Sequence, residues 1–285
     1  MKRHLVIVVV GAVMIAFPAV TSSQVRVIPN LDYAPSADHP DNKGRLDLYV
    51  PERANRAPVI LSIHGGGLRQ GDKSQQGFVG QRFASAGNVT VVLNYRLSPS
   101  VMHPAHIEDI AAVVAWTKKN VAQYGGDPDK VFVIGHSAGA YLAALLVLDP
   151  RYLAAHRLKP RDVRGAVSVS GFFYVDRPGV APDRPKDTWG TEVATWKDAS
   201  PAKYVRGNVP SLLLLYADGD DTWRKQQQTD FAAALRKAGD RDVETQLITG
   251  RTHGTVWSKM ADGEEETSRA ILQFITRVLK IAPSQ

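Results

Sequence analysis

The sequence predicts an α/β protein, a three-layer sandwich around a mostly parallel central sheet, and three observations point there. Short runs that are apolar on both faces recur along the chain, segments with apolar residues at three- and four-residue steps lie between them, and glycines follow two of the runs. Strands buried on both faces need helices on both sides of the sheet, and crossover helices let successive strands run the same way.

Taken in order, the lead-in through Asp38 and Pro40 is irregular. Residues 45–50 alternate polar and apolar side chains, as a half-exposed strand does, and end at Pro51. Residues 57–63 form a buried strand that stops at His64 and three glycines, and 89–94 and 131–134 are further apolar strands. Across 105–124, Ile107, Ile110, Ala111, Val114, Ala115 and Val121 fall at helical steps, with Gly125 and Gly126 as the stop. Lys118 and Lys119 sit near its C-terminal end, where they complement the helix dipole. The nearly all-apolar 138–148 reads as a central helix; 163–169, 211–216 and 243–248 read as strands, and 226–238 and 264–280 as helices. The stretch 171–204 is a loop-rich insertion carrying Phe172, Phe173, Tyr174, Trp189 and Trp196 among Pro, Gly and Asp. Such loops at strand ends shape binding sites, but for any single aromatic here, anchoring the loop on the core is the favoured reading. No internal repeat is present.

With 285 residues, 44% hydrophobic and 22% charged, the chain has the composition of a globular protein with a large core, and no tract reads as a linker. Residues 24–285 are therefore expected to form a single domain. Lys2 and Arg3, the apolar run 5–17, Pro18 and the small residues at 19–23 make up the three regions of a secretory signal peptide at 1–23. Export to the periplasm or the medium is expected, with no stable membrane span after signal removal. The absence of Cys excludes disulfides, a thiolate nucleophile and Cys-ligated metals. The formal charge of +7 is spread among interleaved acids, including Lys2 and Arg3 in the leader, and reads as a solvated surface without a nucleic-acid footprint. Composition leaves the oligomeric state open.

The sharpest chemical signal is Gly135-His136-Ser137-Ala138-Gly139, between a strand and a helix. A reversal this tight leaves room only for small neighbours and lifts the serine hydroxyl above the sheet at a helix N-terminus, where the amides, Ala138 first, favour negative charge. A hydroxyl becomes nucleophilic only when a base takes its proton. His156 lies in a basic, exposed stretch, whereas His253 follows the last strand within Gly250-Arg251-Thr252-His253-Gly254, so His253 is the expected base. The orienting carboxylate should follow the preceding strand, where Ala217-Asp218-Gly219-Asp220-Asp221 offers three acids. Asp220 ranks first, Asp221 second and Asp218 third, the unused ones capping a helix or facing solvent. In His64-Gly65-Gly66-Gly67 the glycines allow two amides to point at one spot, forming an oxyanion hole with the amide of Ala138, while His64 holds the loop. No Gly-Lys-Ser/Thr ending or dinucleotide spacing suits a phosphate loop. His103, His106 and Asp109 share a helical face but read as packing and capping rather than a metal site, and the acids at 218–221 lack a calcium-loop pattern. No cofactor or metal is expected.

On these motifs, together with Asn94-Tyr95-Arg96-Leu97, His103-Pro104 with Asp109, Tyr124-Gly125-Gly126-Asp127-Pro128 and Ser200-Pro201, the chain resembles the alpha/beta-hydrolase superfamily. Within it, the likeness is to carboxylesterases with a His-Gly-Gly-Gly loop related to hormone-sensitive lipase, and to small esterases grouped with feruloyl esterases and kynurenine formamidase. The resemblance runs from about Arg45 to the C-terminal helix and implies the alpha/beta-hydrolase sandwich. It matches Ser137 to the nucleophile, His253 to the base, Asp220 to the acid, Gly66, Gly67 and Ala138 to the oxyanion donors, and Arg96 with Asp109 to a structural pair. Two departures stand out. Ala217 replaces the family's usual Gly, and the long N-terminal helical cap of many lipase-like relatives is missing, which implies a relatively open pocket for short or medium acyl esters.

The activity expected is two-step hydrolysis of a small ester substrate through an acyl-enzyme. Formamide or aryl-amide hydrolysis, or release of acetyl or feruloyl groups from plant polysaccharide, are the alternatives within enzymes. A catalytically inactive binding protein is the alternative of another class.

Overall fold

The computed structural model describes residues 24–35, 37–180, 186–263 and 265–281. The leader expected at 1–23 lies outside them. The strands are β1 (Val25–Asp32), β2 (Arg45–Pro51), β3 (Ala57–Ile63), β4 (Val89–Leu93), β5 (Gly126–His136), β6 (Gly165–Val169), β7 (Ser211–Gly219) and β8 (Val243–Thr252). The helices are α1 (Gly77–Ser85), α2 (Ala105–Asn120), α3 (Ala138–Leu148), α4 (Pro150–Ala154), α5 (Lys186–Trp189), α6 (Val193–Asp198), α7 (Thr222–Lys237), α8 (Thr255–Ser258) and α9 (Glu266–Lys280).

The strands form one sheet in the order β1-β2-β4-β3-β5-β6-β7-β8. β2 runs antiparallel to both its neighbours, and every pairing from β4 to β8 is parallel. The three-layer, mostly parallel sandwich follows directly from strands that bury both faces. Val59, Leu61, Ile63, Val131, Val133, Leu212 and Leu214 pack with residues of α2, α3 and α7 on one side. Ile60, Phe132, Ile134, Val167, Val169, Leu213 and Leu215 pack with residues of α1, α8 and α9 on the other. Each such side chain contributes roughly 1.5–3 kcal/mol by leaving water. Every residue of α3 is buried, as its apolar sequence requires. α9 instead buries one stripe, Thr267, Ser268, Ala270, Ile271, Phe274, Ile275 and Val278.

Several elements differ from the sequence reading for physical reasons. β1 lies within the lead-in read as irregular: it pairs only with β2, at the sheet edge, and its register shifts between Ile28 and Leu31, across Pro29. An edge strand tolerates a proline that a central ladder would not. α1 escapes the pattern because Gly77 and Gly80 depress helix propensity, yet a Cβ at Gly80 would lie 2.3 Å from the Tyr49 ring, so packing needs the glycine. The helix expected over 105–124 is α2 plus a 3₁₀ turn at Val121–Tyr124, ended by Gly125 at φ 84°. α7 begins at Thr222, earlier than expected, directly after the acidic turn. Glu264, the expected first residue of the last helix, lies outside the described residues. α9 starts at Glu266, and the Glu265 carboxylate accepts from the Thr267 amide.

Candidate active site

The site lies at the C-terminal ends of β5, β7 and β8. Ser137 stands between β5 and α3 at φ 54° and ψ −113°, a strained conformation for a residue with a side chain. A Cβ at Gly135 would fall 2.3 Å from the Gly139 carbonyl, and one at Gly139 would fall 2.2 Å from the Ile63 carbonyl oxygen. These contacts are backbone against backbone, so nothing can swing aside. Gly139→Ala is expected to lower the unfolding free energy by about 2 kcal/mol or more, read from a urea titration, because the methyl drives α3 away from the end of β3.

The structure brings the three first-ranked residues into one hydrogen-bonded line. Ser137 Oγ lies 3.0 Å from His253 Nε2, and His253 Nδ1 lies 2.7 Å from Asp220 Oδ1. The other carboxylate oxygen of Asp220 accepts from the Ser170 hydroxyl at 2.5 Å and the Ala217 amide at 3.0 Å. Burial works to raise the pKa of Asp220, but hydrogen bonds from His253, Ser170 and Ala217 outweigh it and hold the group below the ordinary carboxylate value. The carboxylate is therefore an anion at neutral pH. Ser170 sits at φ 50°, and its carbonyl accepts from Arg224 Nη1 at 2.8 Å.

The geometry separates the neighbouring acids. Asp218 reaches across to the base loop, where its carboxylate accepts from the amides of Gly250 at 2.9 Å and Arg251 at 3.0 Å. Backbone pairing of Gly219 with Thr252 ties the same two turns together. Asp221 is exposed and stands at the N-cap position of α7. His156 is exposed, in the turn just past α4 and away from these strand ends. Neither the brace by Asp218 nor the bond from Ser170 was evident from sequence, since an acid or a serine at a strand end looks the same whichever way it turns.

The glycine loop after β3 lies against Ser137: a Cβ at Gly65 would come within 3.3 Å of the Ser137 Cβ. Gly66 (φ 107°) and Gly67 (φ 63°) take conformations that disfavour side chains, and the Gly66 carbonyl closes the turn by accepting from Arg69 and Gln70 at 3.1 Å. Among the described residues the amides of Gly66, Gly67 and Ala138 donate to no protein acceptor. His64 does hold the loop: its ring stacks on Tyr95 at 4.3 Å and its Nδ1–H donates to the Gly65 carbonyl at 2.7 Å. Burial, only partly offset by that bond, lowers its pKa to about 4.

Beyond the loop, Asp72 caps the turn at Lys73–Gln76, accepting from the Ser74 amide and Asn94 Nδ2, each at 2.9 Å. Burial pushes its pKa up, the hydrogen bonds more than reverse this, and the result is about 2. Because this lies below the unfolded value of about 3.9, the stabilisation is complete above that pH and is lost as pH falls through about 2. Asp72→Asn should therefore lower the urea midpoint at pH 7, with the gap to wild type closing between about pH 4 and 2.

The insertion is held down by its aromatics. Phe172 stacks on Tyr141 at 4.7 Å, Trp189 meets both edge-on, and Phe173 stacks on Phe231 of α7 at 3.9 Å. Arg69, beside the glycine loop, pairs with Asp187 of α5. On α2, Asp109 takes a forked pair from Arg96 and a contact from His39, while His106 bonds to Ser98. Among the described residues no group of three or more His, Cys, Asp or Glu is arranged to hold a metal ion, and no helix is long and apolar enough to cross a membrane.

Comparison with known proteins follows the same lines. A family profile described as BD-FAE matches residues 46–158. Esterase LipQ of Mycobacterium tuberculosis is 31% identical over 238 residues, 72% of this chain and 53% of that protein. Esterase LipC of the same organism is 30% identical over 241 residues, 78% of this chain and 59% of that protein. The chain thus spans a little over half the length of these relatives. Among solved structures, the propionate-bound esterase Est2 of Thermogutta terrifontis superposes with a TM-score of 0.72 at 25% identity, covering 94% of this chain and 98% of that one. A truncated carbohydrate esterase from gut microbiota shares the fold, with a TM-score of 0.74 at 19% identity over 92% of this chain and 98% of that one. These likenesses reach esterases of the fold broadly, without singling out the hormone-sensitive-lipase or formamidase groups.

Proposed function

The chain belongs to the alpha/beta-hydrolase superfamily, and we propose that it is one of its carboxylesterases, a serine esterase acting on carboxylic esters of short or medium acyl groups. The observation that carries this is the line Ser137–His253–Asp220, with steps of 3.0 and 2.7 Å. His253 takes the proton as Ser137 Oγ adds to the ester carbonyl, and the anionic Asp220 holds the Nδ1–H tautomer and steadies the imidazolium. The amides of Gly66, Gly67 and Ala138 receive the oxyanion, each donor contributing about 3 kcal/mol to the transition state. His253 then gives its proton to the leaving alcohol, and a water activated by the same imidazole releases the acid from Ser137.

Support for a short acyl group comes from the propionate and butyrate complexes of the similar Thermogutta esterase. Export, with 1–23 as its signal, belongs to the same reading. The test is fluorophosphonate labelling of the folded protein, followed by a panel of p-nitrophenyl esters of increasing chain length. Formylkynurenine and acetylated or feruloylated xylan form the comparison arms. Labelling on Ser137 with fastest turnover of the shorter nitrophenyl esters is expected. Absence of labelling would count for a binding protein, and preferential turnover of formylkynurenine or xylan would move the substrate class to formamides or to polysaccharide esters.

A further inference from the structure

His136, the residue before the nucleophile, lies at the end of β5 with its ring between the base loop and α8. Its Nε2 is 2.7 Å from the backbone carbonyl oxygen of His253. The ring lies 4.8 Å from the His253 ring and stacks on Trp257 at 5.6 Å, and Trp257 Nε1–H donates in turn to Gln76 Oε1 at 3.0 Å. On its other side, a Cβ at Gly65 would fall 3.0 Å from the His136 carbonyl oxygen and 3.2 Å from its Nδ1. One side chain thus touches the base, the glycine loop and the helix that follows the base, while its own backbone leads into Ser137.

His253 needs such a fixture. It is followed by Gly254, whose missing Cβ would meet nothing within 4 Å, and Gly250 upstream turns at φ 68° with equally open space around it. The brace from Asp218 stops at Arg251, and the bond from Thr252 to Thr255 closes the turn without touching the His253 carbonyl. Among the described residues the hydrogen bond to that carbonyl comes from His136.

We propose that His136 is a positioning residue: by donating Nε2–H to the His253 carbonyl it sets the height of the base above the nucleophile, so that Oγ and Nε2 meet at bonding distance. A carbonyl can only accept, so the proton must sit on Nε2 and the ring must be the neutral Nε2–H tautomer or fully protonated. Burial, reinforced by the neighbouring His253, lowers its pKa to about 3, so the neutral form holds at every working pH. The bond therefore does not titrate and places no charge beside the imidazolium that forms during turnover.

The inference rests on the serine-esterase reading, and the test separates the two. Wild type, His136→Gln, His136→Met and His136→Phe are compared for fluorophosphonate labelling rate, kcat and KM on a short nitrophenyl ester, and melting midpoint. Gln extends an N–H to about the Nε2 position, whereas Met and Phe fill the space without a donor. Displacing a catalytic group by about 1 Å costs on the order of 100-fold, so Met and Phe should slow labelling and kcat by roughly 10- to 100-fold with KM within about twofold, and Gln should stay within about threefold of wild type. A nitrogen-detected imidazole spectrum of the wild type should show His136 as the Nε2–H tautomer from pH 5 to 9. The proposal is overturned by wild-type rates in Met and Phe, by Gln behaving no better than they do, or by an Nδ1–H tautomer. Failure of wild type itself to label would overturn the esterase reading and remove the ground of this one.

Discussion

Replacing Ser137 with alanine is expected to lower kcat on a short acyl ester by on the order of 10,000- to 1,000,000-fold, with KM and melting midpoint close to wild type. The side-chain bond recorded for the hydroxyl runs to His253, so its loss opens no buried void and strands no buried partner. Alanine also meets the positive φ of the elbow with the same Cβ as serine. What remains is the polarisation of the ester by the loop amides, which alone leaves catalysis well above the rate in water. Steady-state kinetics at matched folded concentration, with intact-mass detection of a diethylphosphoryl adduct on wild type only, checks the prediction. A loss smaller than tenfold would place the nucleophile elsewhere.

Asp220→Asn should cost kcat about 10,000-fold, although it changes one atom. The Ser170 hydroxyl and the Ala217 amide both donate to Oδ2, so an asparagine there must turn its oxygen toward them. Its NH₂ then faces His253 Nδ1 and compels that nitrogen to accept. The ring proton moves to Nε2, toward Ser137, and the base can no longer receive the serine proton. Asp221→Asn, on an exposed neighbour, should stay within about threefold of wild type. Measuring the two variants side by side on one ester distinguishes them, and equal losses would mean that the turn as a whole, not one carboxylate, supports catalysis.

The choice between adjacent acids marks where sequence stops being informative. Strands apolar on both faces can only lie inside a covered parallel sheet, so β3, β4, β6, β7, the apolar end of β5 and the central helix α3 were readable from side-chain pattern alone, whereas β8, at the sheet edge, is exposed over most of its length. β1 and α1 were not readable: one is an edge strand interrupted by Pro29, the other carries Gly77 and Gly80, and in both tertiary contact overrides local preference. The positions of Ser137 and His253 were legible because a sharp bend demands Gly135 and Gly139, and because few histidines follow it. Asp218, Asp220 and Asp221 are chemically alike and nearly contiguous, so only the turn itself decides which one faces the imidazole, which one braces the base loop and which one heads α7. The partners that select Asp220, Ser170 and the Ala217 amide, come from another strand end and from backbone, where a sequence carries no mark of orientation.

The strand order places β6 between the nucleophile strand and the acid strand, and the insertion leaves the sheet from the end of β6. An exchange of residues 174–200 for the corresponding stretch of another esterase would leave untouched the strand ends that hold Ser137, Asp220 and His253. Phe172 and Phe173 on one flank and Pro201 onward on the other would serve as splice points, already seated on α3 and α7. The architecture thus lends itself to transplantation: the insertion can be exchanged as a cassette while Ser137, Asp220 and His253 stay on their original scaffold.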